Sequence, residues 1–240
     1  MFRNKWKVSK REKTDEGWYT LLNSNTARRP EWDPETPFYQ VISLDPATRN
    51  FAFRVERRWI DGKVETKRYE KFDFSYEDPI TCNLSYQRAL QTAKTFERDA
   101  LESHYVISER QLPQNYKAVR MSQNIISFFL QCAERSKLKT IVIEVNPRLK
   151  GYMLGAPKGC TDKQLKAWSV EKTTEIFKER NDTVGLAVLA KTKKKDDLAD
   201  TVSQSEAFFE LVQTIPTDYN VQITTVGNLK IIAVKKIITK

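Results

Sequence analysis

The run Phe38-Tyr-Gln-Val-Ile-Ser-Leu-Asp45 is mostly apolar, ends at a carboxylate and is stopped by Pro46. It reads as a central strand, and the rest of the chain builds outward from it. From Asn50 to Trp59, Phe51, Phe53 and Val55 recur at every second residue, the period of a strand. Asp61-Gly62 is a strong hairpin signal, because both types tolerate the positive φ that a tight turn needs. Val64 to Phe74 then returns as a third strand. The sheet opens with a three-strand meander.

Helices and strands alternate from there. Pro79 and Asn83 introduce a helix to about Ser103, with Tyr86, Leu90, Ala93, Phe96, Ala100 and Leu101 as its apolar stripe. His104 to Ser108 is a short strand stopping at Glu109, and Pro113 precedes a helix of about twenty residues. Lys139 to Ile143 is a β-branched strand ending at Glu144, followed by a Gly- and Pro-containing loop from Asn146 to Gly159. That loop lacks the spacing of a Walker motif. Thr161-Asp-Lys-Gln164 is a capping box opening a helix to about Arg180. Val184 to Ala190 reads as a short strand, and a helix through Asp197 runs to about Thr214. Val221 to Ile238 reads as a hairpin turning at Gly227-Asn228. This order predicts one α/β domain over residues 38–215 with a mixed central sheet of about five strands flanked by helices. Residues 1–37 form a basic arm, either a partly disordered tail or a DNA-contacting segment, and residues 216–240 a basic β-rich extension.

Composition narrows the function. The 41 Lys and Arg residues exceed the 31 Asp and Glu, giving +10 over 240 residues. That favours a polyanion, nucleic acid first and an acidic membrane surface second. The longest apolar runs, such as Ile125 to Leu130 with Ser127 inside it, are far too short to span a bilayer. Cys82, Cys132 and Cys160 are odd in number and far apart, which suits a reducing compartment rather than zinc or a disulfide framework. His104 is the single histidine, so chemistry must come from carboxylates and lysines. Glu12, Asp15 and Glu16 argue against a mitochondrial transit peptide.

The carboxylates are placed suggestively. Asp45 and Glu109 stop strands, and the stretch Lys191-Thr-Lys-Lys-Lys-Asp196-Asp197-Leu-Ala-Asp200 carries a basic run into the first turn of a helix. Acids there are commonly simple dipole partners. Asp197 and Asp196 share a face with Asp200 equally well, so spacing does not choose between them. Four converging carboxylates would repel one another unless cations lay between them. Mg²⁺ is the natural partner, a hard ion taking oxygen ligands, and two such ions about 4 Å apart can drive phosphodiester hydrolysis. Glu144 is an awkward extra: a fifth ligand, a partner for Arg148 or a surface residue. A structural or DNA-side role is preferred, because four acids already satisfy the metals. Lys191, Lys193, Lys194 and Lys195, extended by Arg148, Lys158 and Lys163, would contact phosphates without reading sequence. Tyr116, Phe128 and Tyr152 are candidate base-stacking aromatics.

These segments resemble a known family. Val41-Ile-Ser-Leu-Asp45-Pro-Ala-Thr-Arg-Asn-Phe-Ala-Phe is similar to the first hairpin of RuvC-type Holliday junction resolvases. Val106-Ile-Ser-Glu109-Arg-Gln111, with Arg120-Met-Ser-Gln123 on the next helix, resembles their second motif. Ile141-Val-Ile-Glu-Val-Asn-Pro-Arg-Leu-Lys150-Gly resembles the segment supplying their active-site lysine, and Lys195-Asp-Asp197-Leu-Ala-Asp200 their closing Asp-x-x-Asp helix. The order is most similar to the resolvases of poxviruses and other large cytoplasmic DNA viruses, over roughly Tyr39 to Phe209. The segment between Lys150 and Asp197 is long for the compact members.

The resemblance implies a ribonuclease H-like fold. It also implies Asp45, Glu109, Asp197 and Asp200 as ligands of two Mg²⁺ ions, replaceable by Mn²⁺, with Lys150 near the scissile phosphate. The activity implied is structure-selective cleavage of four-way DNA junctions by paired symmetric nicks. A homodimer using the helix from about Pro113 to Arg135 is implied as well, with no membrane and no small-molecule cofactor. The viral members imply a replication site in the host cytoplasm, and a mitochondrial relative is the alternative. A nuclease acting on RNA–DNA hybrids or in transposition, and a non-catalytic DNA-binding module, are the competing functions.

Overall fold

In a computed structural model, residues 18–23, 38–59, 61–75, 83–214, 219–226 and 229–236 are described. Strands β1 (Tyr19–Leu21), β2 (Phe38–Asp45), β3 (Phe51–Trp59), β4 (Val64–Phe72), β5 (Tyr105–Glu109) and β6 (Ile141–Val145) make one sheet, ordered β1-β6-β5-β2-β3-β4. The helices are α1 (Asn83–Thr95), α2 (Glu97–Leu101), α3 (Tyr116–Arg135), α4 (Leu149–Met153), α5 (Asp162–Glu179), α6 (Thr183–Lys191) and α7 (Asp196–Thr214). A separate hairpin pairs β7 (Tyr219–Val226) with β8 (Leu229–Lys236), Val226 opposite Leu229. The expected meander is present, and β2 lies inside the sheet, antiparallel to β3 and parallel to β5.

The pleat of β2 assigns the two layers. Ile42 and Leu44 face Phe96, Met121, Ile125 and Phe129 of the layer built from α1 to α3. Val41 faces the other way, into a cluster with Tyr105, Ile107, Ile143 and the α7 residues Phe208, Phe209 and Val212. Alternation along the strand therefore puts Asp45 on the α7 face.

Several elements differ from expectation. The sheet has six strands because Tyr19–Leu21, within the stretch expected as an arm, pairs with β6, Tyr19 opposite Val145. Three residues are too few to show a period. Val184 to Ala190 lies in helix α6, not a strand: a short apolar run does not by itself distinguish the two. The Asp182 carboxylate caps this helix by accepting from the Gly185 amide at 2.8 Å. A Cβ on Gly185 would sit 2.6 Å from the buried Phe177 ring, so glycine permits the close helix packing. The expected first helix is interrupted at Phe96 into α1 and α2. Strand β6 begins at Ile141 rather than Lys139, whose φ of +52° is incompatible with a strand, and it runs on to Val145, which puts Glu144 inside the strand. Lys150 lies on the short helix α4, not in an irregular loop. No helix among the described residues is long and apolar enough to cross a membrane.

Charges buried under β3 fasten α7 to the sheet. Arg54, Glu56 and Arg58 share one face of β3, and Glu56 accepts from Arg54, from Arg58 at 2.6 Å and from Ser205 of α7 at 2.5 Å. Arg58 also pairs with Glu206 of α7, which Arg180 grips with both nitrogens at 2.6 and 2.5 Å. Burial alone would push the Glu206 carboxyl up, but Arg58 and Arg180 hold it down to about 2. Glu206→Ala leaves both guanidinium groups without this partner and should destabilise the protein by about 3–5 kcal/mol in chemical denaturation. Because the folded value lies below the ordinary 4.5, the stabilisation from Glu206 is full above that pH and is lost as pH falls toward about 2. Glu206→Gln should therefore remove that part of the acid-unfolding profile.

Candidate acidic site

The site forms where β2 and β5 end. Leu44 is level with Ser108 across the parallel pair, so Asp45 is level with Glu109, and Glu109 is level with Val145 of β6. Residues level on neighbouring strands point to one face, so both acids face α7. Helix α7 brings Asp197 on its first turn and Asp200 three residues further on, and its Gln204 donates to the Leu44 carbonyl at 2.8 Å, tying the helix to the residue before Asp45. Helix α4 follows β6 and turns Lys150 inward, 7% exposed. The Lys150 Nζ lies 2.8 Å from Glu109 Oε2 and 2.7 Å from Asp200 Oδ2.

The electrostatics follow from this crowding. Burial first, then the charges of Glu109, Asp200 and Asp197, push the Asp45 carboxyl well above its usual range, with Lys150 opposing. Glu109 is also raised, chiefly by burial, against the pull of Lys150. Burial works against the Lys150 charge, yet Glu109 and Asp200 raise its pKa on balance, so the ammonium stays protonated. Asp197 is raised by burial and by Asp196, although Lys194 Nζ lies 2.6 Å from its Oδ1. Gln111 reaches toward Asp45 Oδ1 at 3.5 Å.

The geometry distinguishes residues that spacing did not. Asp196 pairs with Lys166 at 3.2 Å and Lys194 at 3.7 Å, and its carboxyl is lowered despite partial burial. The Oδ2 of Asp197 is buried without a hydrogen-bond partner, and it is Asp197 whose charge is felt at Asp45 and Glu109. Glu144 is level with Ser108 and Thr20, one residue out of step with Glu109, so it points to the opposite face. Burial raises its carboxyl, and the cation opposing that shift is Arg110 rather than Arg148. Arg148, Lys158, Lys193 and Lys194 are exposed and Lys195 is half-buried; of these, Lys194 has ion pairs with the acids. Tyr116 and Tyr152 are exposed, Tyr152 stacked on Trp18 at 4.6 Å, whereas Phe128 is core.

Sequence reasoning passed over Ser169, whose hydroxyl donates to Asp200 Oδ1 at 2.7 Å, and Gln204. A signal existed for the first: Ser169, Thr173, Ile176 and Phe177 recur at helical spacing and form the buried stripe of α5.

The donor set suits a hard divalent cation: four carboxylates, one with a buried unpartnered oxygen, and no histidine or cysteine among them. Among the described residues no three acids close around one point as they stand. Lys150 occupies the space between Glu109 and Asp200, and Lys194 covers Asp197.

No protein-family model matches the chain, and no curated protein matches its sequence. Solved structures do. The fold is similar to that of the yeast mitochondrial Holliday junction resolvase, with a TM-score of 0.54 at 14% identity over 74% of this chain and 82% of that one. RuvC from Thermus thermophilus aligns at 14% identity with a TM-score of 0.49, over 72% of this chain and 96% of that one. The same protein in complex with Holliday junction substrate aligns with a TM-score of 0.48. The architecture of this chain is the ribonuclease H-like fold, a mixed sheet flanked by helices with its acids gathered at one end.

Proposed function

We propose that the protein is a metal-dependent endodeoxyribonuclease that resolves four-way DNA junctions. The gathering of Asp45, Glu109, Asp197 and Asp200 at the strand ends, with Lys150 between Glu109 and Asp200, carries this reading. Support comes from the fold shared with a junction resolvase and from the net charge of +10. Asp45, Glu109, Asp197 and Asp200 would hold two Mg²⁺ ions, with Mn²⁺ substituting. Bound there, the metal supplies charge that activates a water and stabilises the leaving oxygen.

The chain's own groups do the remaining work. The buried ammonium of Lys150 keeps Glu109 and Asp200 together before metal enters, then offsets charge developing on the scissile phosphate. Lys194, 44% exposed at its side chain, swings off Asp197 at little cost and toward a DNA phosphate. Arg148, Lys158, Lys193 and Lys195 extend that phosphate-binding surface. Attack in line on phosphorus breaks the bond to the 3′ oxygen, leaving a 3′-hydroxyl and a 5′-phosphate. Two symmetric nicks require two sites, hence a homodimer; the outward face of α3, with Tyr116, Arg120, Gln123, Asn124 and Ser127, is the proposed contact and would be largely polar. The mitochondrial origin of the yeast neighbour fits the second of the two expected compartments, and the viral replication site has no such support.

An end-labelled four-way junction tests the reading beside linear duplex, a flap and an RNA–DNA hybrid. Paired symmetric Mg²⁺-dependent nicks in the junction alone are expected. Asp45→Asn and Asp200→Asn should each abolish cleavage while sparing junction binding, because the fold and the basic surface remain. Cutting of the hybrid instead would replace the substrate, and tight binding without cutting under any divalent metal would leave a binding module.

The raised carboxyls also set a pH dependence. Asp45 and Glu109 disfavour the folded state as pH rises above their ordinary values of 3.8 and 4.5, because their folded pKa values are higher. A divalent ion relieves that repulsion. Mg²⁺ should therefore raise the melting temperature by several degrees at pH 8 and much less at pH 5, where protons compete for the same oxygens. Equal shifts at both pH values would refute this account.

A further inference from the structure

The buried seam between α5 and α7 is polar where two packed helices would ordinarily meet through apolar side chains. Ser169 and Thr173, 2% and 0% exposed, head the inward stripe of α5, and Ile176 and Phe177 continue it into the core. The Thr173 hydroxyl donates to the Ala199 carbonyl at 3.1 Å, a bond that only joins the helices. Ser169 reaches further: its hydroxyl donates to Oδ1 of Asp200 at 2.7 Å. Ser203 lies 3.4 Å from the Ser169 oxygen and donates its own hydrogen to the Ala199 carbonyl at 3.1 Å, so the nearer, charged Asp200 oxygen is the better acceptor for the single Ser169 hydrogen. The other Asp200 oxygen, Oδ2, takes the Lys150 ammonium at 2.7 Å. One carboxylate is thus gripped at both oxygens from two other helices.

A carboxylate turns easily about its last torsion, whose rotamer well is broad. A charge-assisted hydrogen bond to one oxygen fixes the plane of the group. We infer that Ser169 is a positioning residue of the acidic site, holding Asp200 so that Oδ2 faces Glu109 and the ion-binding centre. The inference rests on the reading of Asp200 as a metal ligand. It also gives a role to part of the long segment between Lys150 and Asp197: α5 delivers a hydrogen-bond donor to the back of the site. Groups that orient a metal ligand from behind are commonly worth 10- to 100-fold in metal affinity or activity.

Mn²⁺ affinity, measured by electron paramagnetic resonance titration without DNA, provides a readout independent of cleavage. Ser169→Ala should weaken Mn²⁺ binding roughly 10- to 100-fold, with metal-free junction binding unchanged. Thr173→Ala, which cuts the same seam one turn away, should lower the melting temperature and leave Mn²⁺ affinity alone. Should Ser169→Ala fail to fold, Ser169→Cys keeps the volume with a much weaker donor and should show the same loss, whereas Ser169→Thr, keeping the hydroxyl, should restore affinity. In an Asp200→Asn background, Ser169→Ala should add no further loss. Ser169→Ala weakening Mn²⁺ no more than Thr173→Ala, or by the same factor with Asp200 intact as in the Asp200→Asn background, would overturn the positioning role. Wild-type protein that binds Mn²⁺ but cuts no DNA would end the nuclease reading and leave this inference standing. Wild-type protein that takes up no Mn²⁺ would end the inference along with the metal site.

Discussion

Helix α7 must present an acidic first turn to two other acids, and like charges resist that arrangement. Its opposing constraint lies further along the same helix, where Glu206 is held by Arg58 of β3 and Arg180. Buried ion pairs seldom add much net stability over an apolar core, but they are directional and strongly penalise a misplaced partner. Here the penalty falls on any slide or rotation of α7 against the sheet. Gln204, bound to the Leu44 carbonyl, adds a second fixed point next to Asp45.

Within the site, one ammonium balances much of the remaining repulsion. Lys150 sits between Glu109 and Asp200, and its charge also lowers the carboxyl pKa of Asp45. Burial strengthens each of these interactions because little water screens them. A site of this kind is poised rather than relaxed: Asp45 and Glu109 hold their protons more tightly than ordinary carboxyls, and an oxygen of Asp197 is buried without a partner. A divalent cation answers both conditions, which is the physical link between the fold and the proposed chemistry.

Most of the fold was legible in the sequence. The alternation of Phe51, Phe53 and Val55, the Asp61-Gly62 turn and the capping box at Thr161 each appear in their expected elements. Local signals of this sort carry their own physics and need no tertiary context. Failures came where local signals were ambiguous or too short. Residues of α6 are apolar enough for either a strand or a helix, and β1 is a three-residue strand that exists only because β6 offers an edge. The acids of the site were legible individually, because each marks the end of a strand or the start of a helix.

What the sequence by itself determined was the set of acids, the strand and helix periods that carry them, and a charge suited to a polyanion. Which acids meet was decided by tertiary structure. Register places Glu109 level with Asp45 and turns Glu144 to the other face, a distinction of one residue that sequence spacing does not fix. Packing separates Asp197 from Asp196: Lys166 pairs with Asp196, Lys194 lies nearer Asp197 than Asp196, and Asp197 still keeps one buried, unpartnered oxygen. Ser169 reaches Asp200 across 31 residues of chain. Proximity between such residues is a property of how helices and strands pack, and no local pattern along the chain encodes it.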